Sequence, residues 1–149
     1  WENDPIRALA FAHEGAKWRG EGRRPMAVIG AIIDLGMCLN LFDQYALREL
    51  QEAHAALKAD MDALGAPMPK NEGKSDDLVL RHLDQAVVTK LHAIRESVAE
   101  TQKYQTVRAG FLEGGELFPG TKFRSKNHIQ IAVRDSICIK GYFLPRQAG

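Results

Sequence analysis

Cysteine is scarce: the 149 residues contain two, Cys38 and Cys138, far apart and each in apolar surroundings. There is no CxxC pair and no disulfide framework. Buried free thiols in a reducing compartment are expected, and with them a cytoplasmic location. Excess charge of one sign is also missing. The formal net charge is +1, which excludes a strong general attraction to nucleic acid or to an anionic membrane. Long apolar runs are lacking too. The longest, Met26 to Ile33, falls far short of the roughly 20 residues that span a bilayer, so no membrane partner is expected.

Several site signatures are absent. The five histidines, His13, His54, His82, His92 and His128, have no HExxH spacing and form no zinc pattern with cysteine, so no metal is expected. Those at 54, 82 and 92 fall in helical stretches and read as packing or surface residues. Gly73-Lys74-Ser75 lacks the earlier glycine of a phosphate loop, because Met68 stands there. Gly20-Glu21-Gly22 lacks the third glycine of a dinucleotide fingerprint, and Pro25 occupies that place. No GxSxG elbow or Cys-His nucleophile pair is evident.

What remains is an ordinary globular composition, 45% hydrophobic and 26% charged. Its length fits a single domain across residues 1–149. Asn3-Asp4-Pro5 starts a helix, with a capping side chain followed by proline at the first helical position. Ile6, Leu9, Ala10, His13 and Ala16 continue it up to Gly20. Met26 to Ile33 is apolar on both faces and predicts a central buried strand over Val28–Ile33. A shorter piece, Met37 to Leu41, comes next. Asp43 is placed to cap a second helix, which Gly65 ends. Ser75 or Asp76 is placed to cap a third, with Leu80, Leu83, Val87, Leu91, Ile94 and Val98 on one face.

The last third changes character. Thr106 to Glu113 alternates weakly. Glu116 to Phe123 is extended, with a turn at Pro119-Gly120. Ile129, Ile131 and Val133 mark a half-buried strand, and Ile137 to Leu144 a final one. Helices come first and strands later, which argues for an α+β class. Val28–Ile33 and Gln130–Arg134 are expected in the same sheet.

Three stretches together resemble the ADP-ribosyltransferase-like fold of the poly(ADP-ribose) polymerase and diphtheria-toxin type. Trp1-Glu-Asn-Asp-Pro-Ile-Arg-Ala-Leu-Ala-Phe-Ala12 looks like the segment just after that family's Gly-x-Tyr-Phe strand. Val28 to Leu35 resembles the buried strand after the next helix. Gln130-Ile-Ala-Val-Arg-Asp135, with Ile139 to Phe143, is similar to the closing strands. The chain opens at Trp1 without an initiator Met or a signal peptide, and it reads as the C-terminal part of such a domain.

The resemblance implies a split, mostly antiparallel sheet with a helical insertion over Asp43–Val98 and a cleft that holds NAD. It implies NAD as the substrate and a protein or nucleic-acid acceptor. It also implies the role of a bacterial toxin or phage-defence effector, with an antitoxin as a further partner. The family's ribose-binding His and nicotinamide-stacking Tyr would fall before Trp1. Its catalytic Glu falls on Gln130, which keeps the hydrogen bonds of a glutamate and loses the charge. Glu113 and Glu116 are the nearest carboxylates that could compensate.

His128 lies two residues before Gln130, so both face one side of the strand while Ile129 and Ile131 face the other. That pattern suits a cleft wall holding catalytic Gln130 and His128, and it suits the polar face of an edge strand. Lys122, Arg124 and Lys126 form a local basic patch, able to meet a nucleotide phosphate or simply solvated. The alternative to an NAD-dependent transferase is a non-catalytic module of the same fold that binds a nucleotide or partner. A third reading is a helix-rich interaction module unrelated to NAD.

Overall fold

The structure, a computed structural model, describes residues 1–20, 25–73, 79–99 and 102–146, without the side chain of Trp18. Its elements are α1 (Pro5–Trp18), β1 (Gly30–Ile33), β2 (Cys38–Asn40), α2 (Gln44–Leu64) and α3 (His82–Ser97). They continue with β3 (Thr106–Phe111), β4 (His128–Val133), a short 3-10 turn η1 (Ser136–Cys138) and β5 (Ile139–Phe143). The class is mixed α+β, with the last three strands following the helices.

Local chemistry explains the helix ends. The Asp4 carboxylate accepts the Arg7 backbone N–H at 2.8 Å, and Pro5 occupies the first turn. Both satisfy helix-start requirements that the sequence displays openly. Gly65 ends α2 in the left-handed conformation at φ 63°. The N–H of Ala66 then returns to the Met61 carbonyl, which satisfies a terminal acceptor. Asp43 occupies the N-cap position of α2, but its side chain caps nothing there. Its carboxylate instead accepts from Asn40 Nδ2 at 3.1 Å.

The expected caps of α3, Ser75 and Asp76, lie outside the described residues. The helix starts at His82 and is capped from a distance. Asn71 Oδ1 accepts the backbone N–H groups of Leu83 at 2.9 Å and Asp84 at 3.2 Å. An antiparallel bridge between Glu72 and Leu80 holds the loop that brings Asn71 there.

Two sheets form among the described residues. β2 pairs with β3 in parallel, and β3 with β4 antiparallel, giving the order β2-β3-β4. β1 pairs only with β5, as a separate antiparallel ribbon. This overturns two expectations. Val28–Ile33 is not a central buried strand: only Gly30–Ile33 is extended in a ladder, and Ile29 and Ile32 are 67% and 60% exposed. Nor does it share a sheet with Gln130–Arg134. An apolar run on both faces says that a strand wants cover, and here one neighbour alone supplies the pairing. The sheet containing β4 is likewise mixed, since its β2–β3 pair is parallel.

The core lies between the α2–α3 hairpin and the β2–β3 pair. Leu39, Ala46, Ala53, Leu57, Val87, Leu91 and Tyr104 form one buried cluster, with Val107 packed against it. Ala46 and Ala53 on α2 are buried in it, and Leu39 is fully buried. Thr106 is also fully buried, and its hydroxyl donates to the Leu35 carbonyl at 2.6 Å, so its polar atom is satisfied.

Candidate functional site

The register of β3 and β4 sets the site. Phe111 lies opposite His128, and Ala109 opposite Gln130. Side chains alternate along each strand, so Ala109, Phe111, His128 and Gln130 share one face. The Phe111 and His128 rings stack with centroids 5.4 Å apart and 16° between planes.

The structure brings the two predicted site residues together. His128 Nδ1 lies 2.6 Å from the Lys126 carbonyl, and its Nε2 lies 2.8 Å from Gln130 Nε2. A carbonyl can only accept, so Nδ1 carries the proton. In the neutral ring Nε2 is then the acceptor, and the Gln130 amide N–H donates to it. The amide is thereby oriented: its NH2 end belongs to His128 and its Oε1 end is left to accept.

The same face continues into a ring of contacts. Lys126 Nζ pairs with Glu14 at 2.7 Å, Glu14 with Arg7 at 3.4 Å, and Arg7 with Glu113 at 3.3 Å. Glu113 pairs with Arg81 at 3.5 Å, and the Arg81 guanidinium lies 4.8 Å from the centroid of the Phe111 ring. Phe111 returns the ring to His128. Arg7 and His128 are each 8% exposed. The Lys126 ammonium, then the charge and hydrogen bond of Arg7, hold the Glu14 carboxyl below its ordinary value against the opposing effect of burial.

α1 closes this face. Trp1 lies between Phe11, at 4.8 Å, and His128, at 6.2 Å between ring centroids. The backbone N–H of Glu2 donates to the Ile129 carbonyl at 2.8 Å, which sets the start of the chain against the outer edge of β4. The Glu2 carboxylate accepts from Arg108 Nε at 2.8 Å.

The other expected residues are dispersed. Glu113 reaches the ring but is committed to Arg7 and Arg81. Glu116 does not: its carboxylate accepts the Gly120 N–H at 3.2 Å in the loop. Of the basic patch, Lys126 is turned inward to Glu14, while Lys122 remains exposed. Sequence reasoning missed Arg7, Glu14, Arg81 and Phe111. Arg7 and Glu14 stand seven residues apart on α1, two helical turns, and so share a face. That spacing was visible, but the partner across from it was not.

Outside this face, a shallow groove of about 440 Å3 has walls from α2 and α3 alone, with Leu57, Ala86 and Thr89 among them. No group of three or more potential metal-binding side chains occurs among the described residues. No described helix is long and apolar enough to cross a membrane. Comparison with protein-family models, with curated proteins and with solved structures returns no significant match.

Proposed function

We propose that this chain is the C-terminal part of an ADP-ribosyltransferase-like domain whose complete form transfers ADP-ribose from NAD to a protein or nucleic-acid acceptor. The single observation that carries the reading is the bond from the Glu2 N–H to the Ile129 carbonyl. It sets the stretch that resembles the segment just after the Tyr-Phe strand beside the strand that carries Gln130. In this reading the segment that follows the Tyr motif and the strand of the Glu motif lie side by side, although they stand at opposite ends of the sequence.

The oriented amide determines the chemistry. An acceptor nucleophile attacks the ribose carbon that holds nicotinamide. The carbon–nitrogen bond breaks with its electron pair going to nicotinamide, and the acceptor's proton passes to a base. Positive charge builds on the sugar in between, as in glycoside cleavage. In this reading Gln130 Oε1 accepts from a ribose hydroxyl and so fixes the sugar. It contributes no charge, and Glu113 is already neutralised by two guanidiniums, so transfer is slower than with a free carboxylate beside the sugar. A toxin or phage-defence role, with an antitoxin as partner, belongs to the same proposal.

A second reading is favoured by one specific feature. Gln130 stands where catalysis calls for a carboxylate, and its amide is spent on His128. This suits a non-catalytic module that binds a nucleotide or a partner. The test uses a form of the protein that carries a Gly-x-Tyr-Phe strand upstream of Trp1, incubated with NAD labelled in its adenylate. Label transfer that Gln130→Ala reduces supports the transferase. NAD binding by calorimetry without turnover supports the second reading, and neither binding nor turnover overturns both.

A further inference from the structure

His92 sits on α3 at 8% exposure, and its Nδ1 is buried without a hydrogen-bond partner. Its ring meets Tyr104 edge-on, with centroids 6.3 Å apart and 71° between planes. Charged and titratable groups surround this contact from every element packed on it. α3 itself supplies Arg95 and Glu96, and α2 supplies Tyr45 and Glu49. The segment before β3 supplies Lys103 and Tyr104, and the end of β4 supplies Arg134.

These groups interlock four parts of the chain. The Tyr104 hydroxyl donates to Glu49, which also pairs with Arg95. Arg95 donates to the Gln102 carbonyl from Nε at 3.1 Å and from a terminal nitrogen at 3.0 Å. Its guanidinium lies 4.1 Å from the centroid of the Tyr104 ring. Arg134 donates to the Tyr104 carbonyl and to Glu96, each at 2.9 Å. None of these bonds uses the His92 ring.

We propose that His92 is an acid-sensitive latch: when its ring takes a proton, the α2–α3 hairpin loosens from the β3–β4 end of the sheet. The protonated ring would carry a buried N–H with no acceptor and a third positive charge near Arg95 and Arg134. A buried, unpaired charge is relieved by opening to solvent. Burial, then Arg134, holds the ring's proton affinity below its ordinary value of 6.5, and Glu96 opposes this only in part.

The closed form therefore binds the proton less well than the open form. Latch stability is full above about pH 6.5, falls as pH drops below it, and levels off beneath the closed form's own value. One unit below the ordinary value, opening is favoured by up to about tenfold.

Amide hydrogen exchange on the full chain tests this, as protection factors at about pH 7.5 and pH 5.5. In the wild type, protection of α3 is expected to fall by up to about tenfold at the lower pH. In His92→Phe, which keeps the edge-on ring contact and cannot titrate, it is expected to stay level. His128, the other buried histidine, is retained in both proteins and serves as the internal reference. His92→Gln repeats the comparison should the phenylalanine fail to pack. A pH-independent α3 in the wild type, or an equal loss in the wild type and the His92 variants, overturns the latch.

Discussion

Gln130 and His128, two residues apart on one strand, are joined side chain to side chain at 2.8 Å, and the carbonyl of Lys126 fixes which end of the amide does the joining. Two residues expected to act in parallel on a ligand are therefore coupled. Changing either one re-aims the other. Gln130→Ala frees His128 Nε2, and His128→Ala releases the amide to rotate.

In a form with the upstream strand in place, Gln130→Ala is expected to slow transfer about a hundredfold, the usual consequence of losing one group that binds the transition state. Gln130→Glu restores the charge at that position and is expected to raise the rate. Ile131→Ala is the control. It is half-buried on the opposite face and is expected to lower stability by no more than about 2 kcal/mol without acting on chemistry. Initial rates beside thermal melts separate these effects. A Gln130→Ala protein that matches the wild type in both measurements removes the residue from the site.

The 149-residue chain by itself is expected to consume no NAD. The His and Tyr motifs implied by the resemblance are not within it. Nicotinamide release, monitored by chromatography over hours at high protein concentration, checks this. Steady release that vanishes in Gln130→Ala would contradict it.

Arg7 bridges Glu14 and Glu113 while 8% exposed. Arg7→Met is expected to cost about 3 kcal/mol, because two carboxylates lose a shared partner in a mostly dry setting. Lys126 and Arg81 still hold one carboxylate each, which keeps the loss below that of a fully stranded charge. Urea melts of Arg7→Met, Glu113→Gln and the double variant should reveal a coupling above about 0.5 kcal/mol. Simple additivity would mean that the pair does not interact.

Tyr104 is held protonated above its ordinary value by burial, then by its hydrogen bond to Glu49. The unfolded chain releases that proton first as pH rises, so folded stability is expected to decline above about pH 10. Tyr104→Phe should flatten that decline. Denaturation midpoints across the alkaline range measure it, and an unchanged slope in Tyr104→Phe would reject the assignment.

Gly36 occupies the left-handed region at φ 54°, and a β-carbon there would sit 2.3 Å from Gln105 Oε1. That oxygen accepts the Met37 N–H at 3.1 Å. Gly36→Ala is expected to destabilise by about 1–2 kcal/mol from backbone strain alone, with the displaced Gln105 adding to it. Thermal melting with Gly65→Ala as a second left-handed position, open to solvent, isolates the steric part.

The helices were legible because their signals are local. Asp4-Pro5 and Gly65 state where a helix starts and stops within a few neighbouring residues. α3 was legible by its stripe but not by its start, because its cap comes from Asn71, well upstream of His82. The face shared by His128 and Gln130 was legible from strand alternation. The ring around it was not, because Arg7 and Glu113 meet only after α1 returns to the sheet. Val28–Ile33 misled for a related reason. Its composition reports a wish to be covered, and pairing is decided elsewhere in the chain.

The bond from Glu2 to Ile129 also dictates an order of events. Glu2, Arg7 and Glu14 are made well before Arg108, Glu113, Lys126 and Ile129, the partners they meet in the fold. On a ribosome, α1 must wait for these partners while the α2–α3 hairpin, built from nearer neighbours, can settle ahead of it. Such long loop closures are slow steps. Docking of α1 is then a late event, and the candidate site comes into being with it.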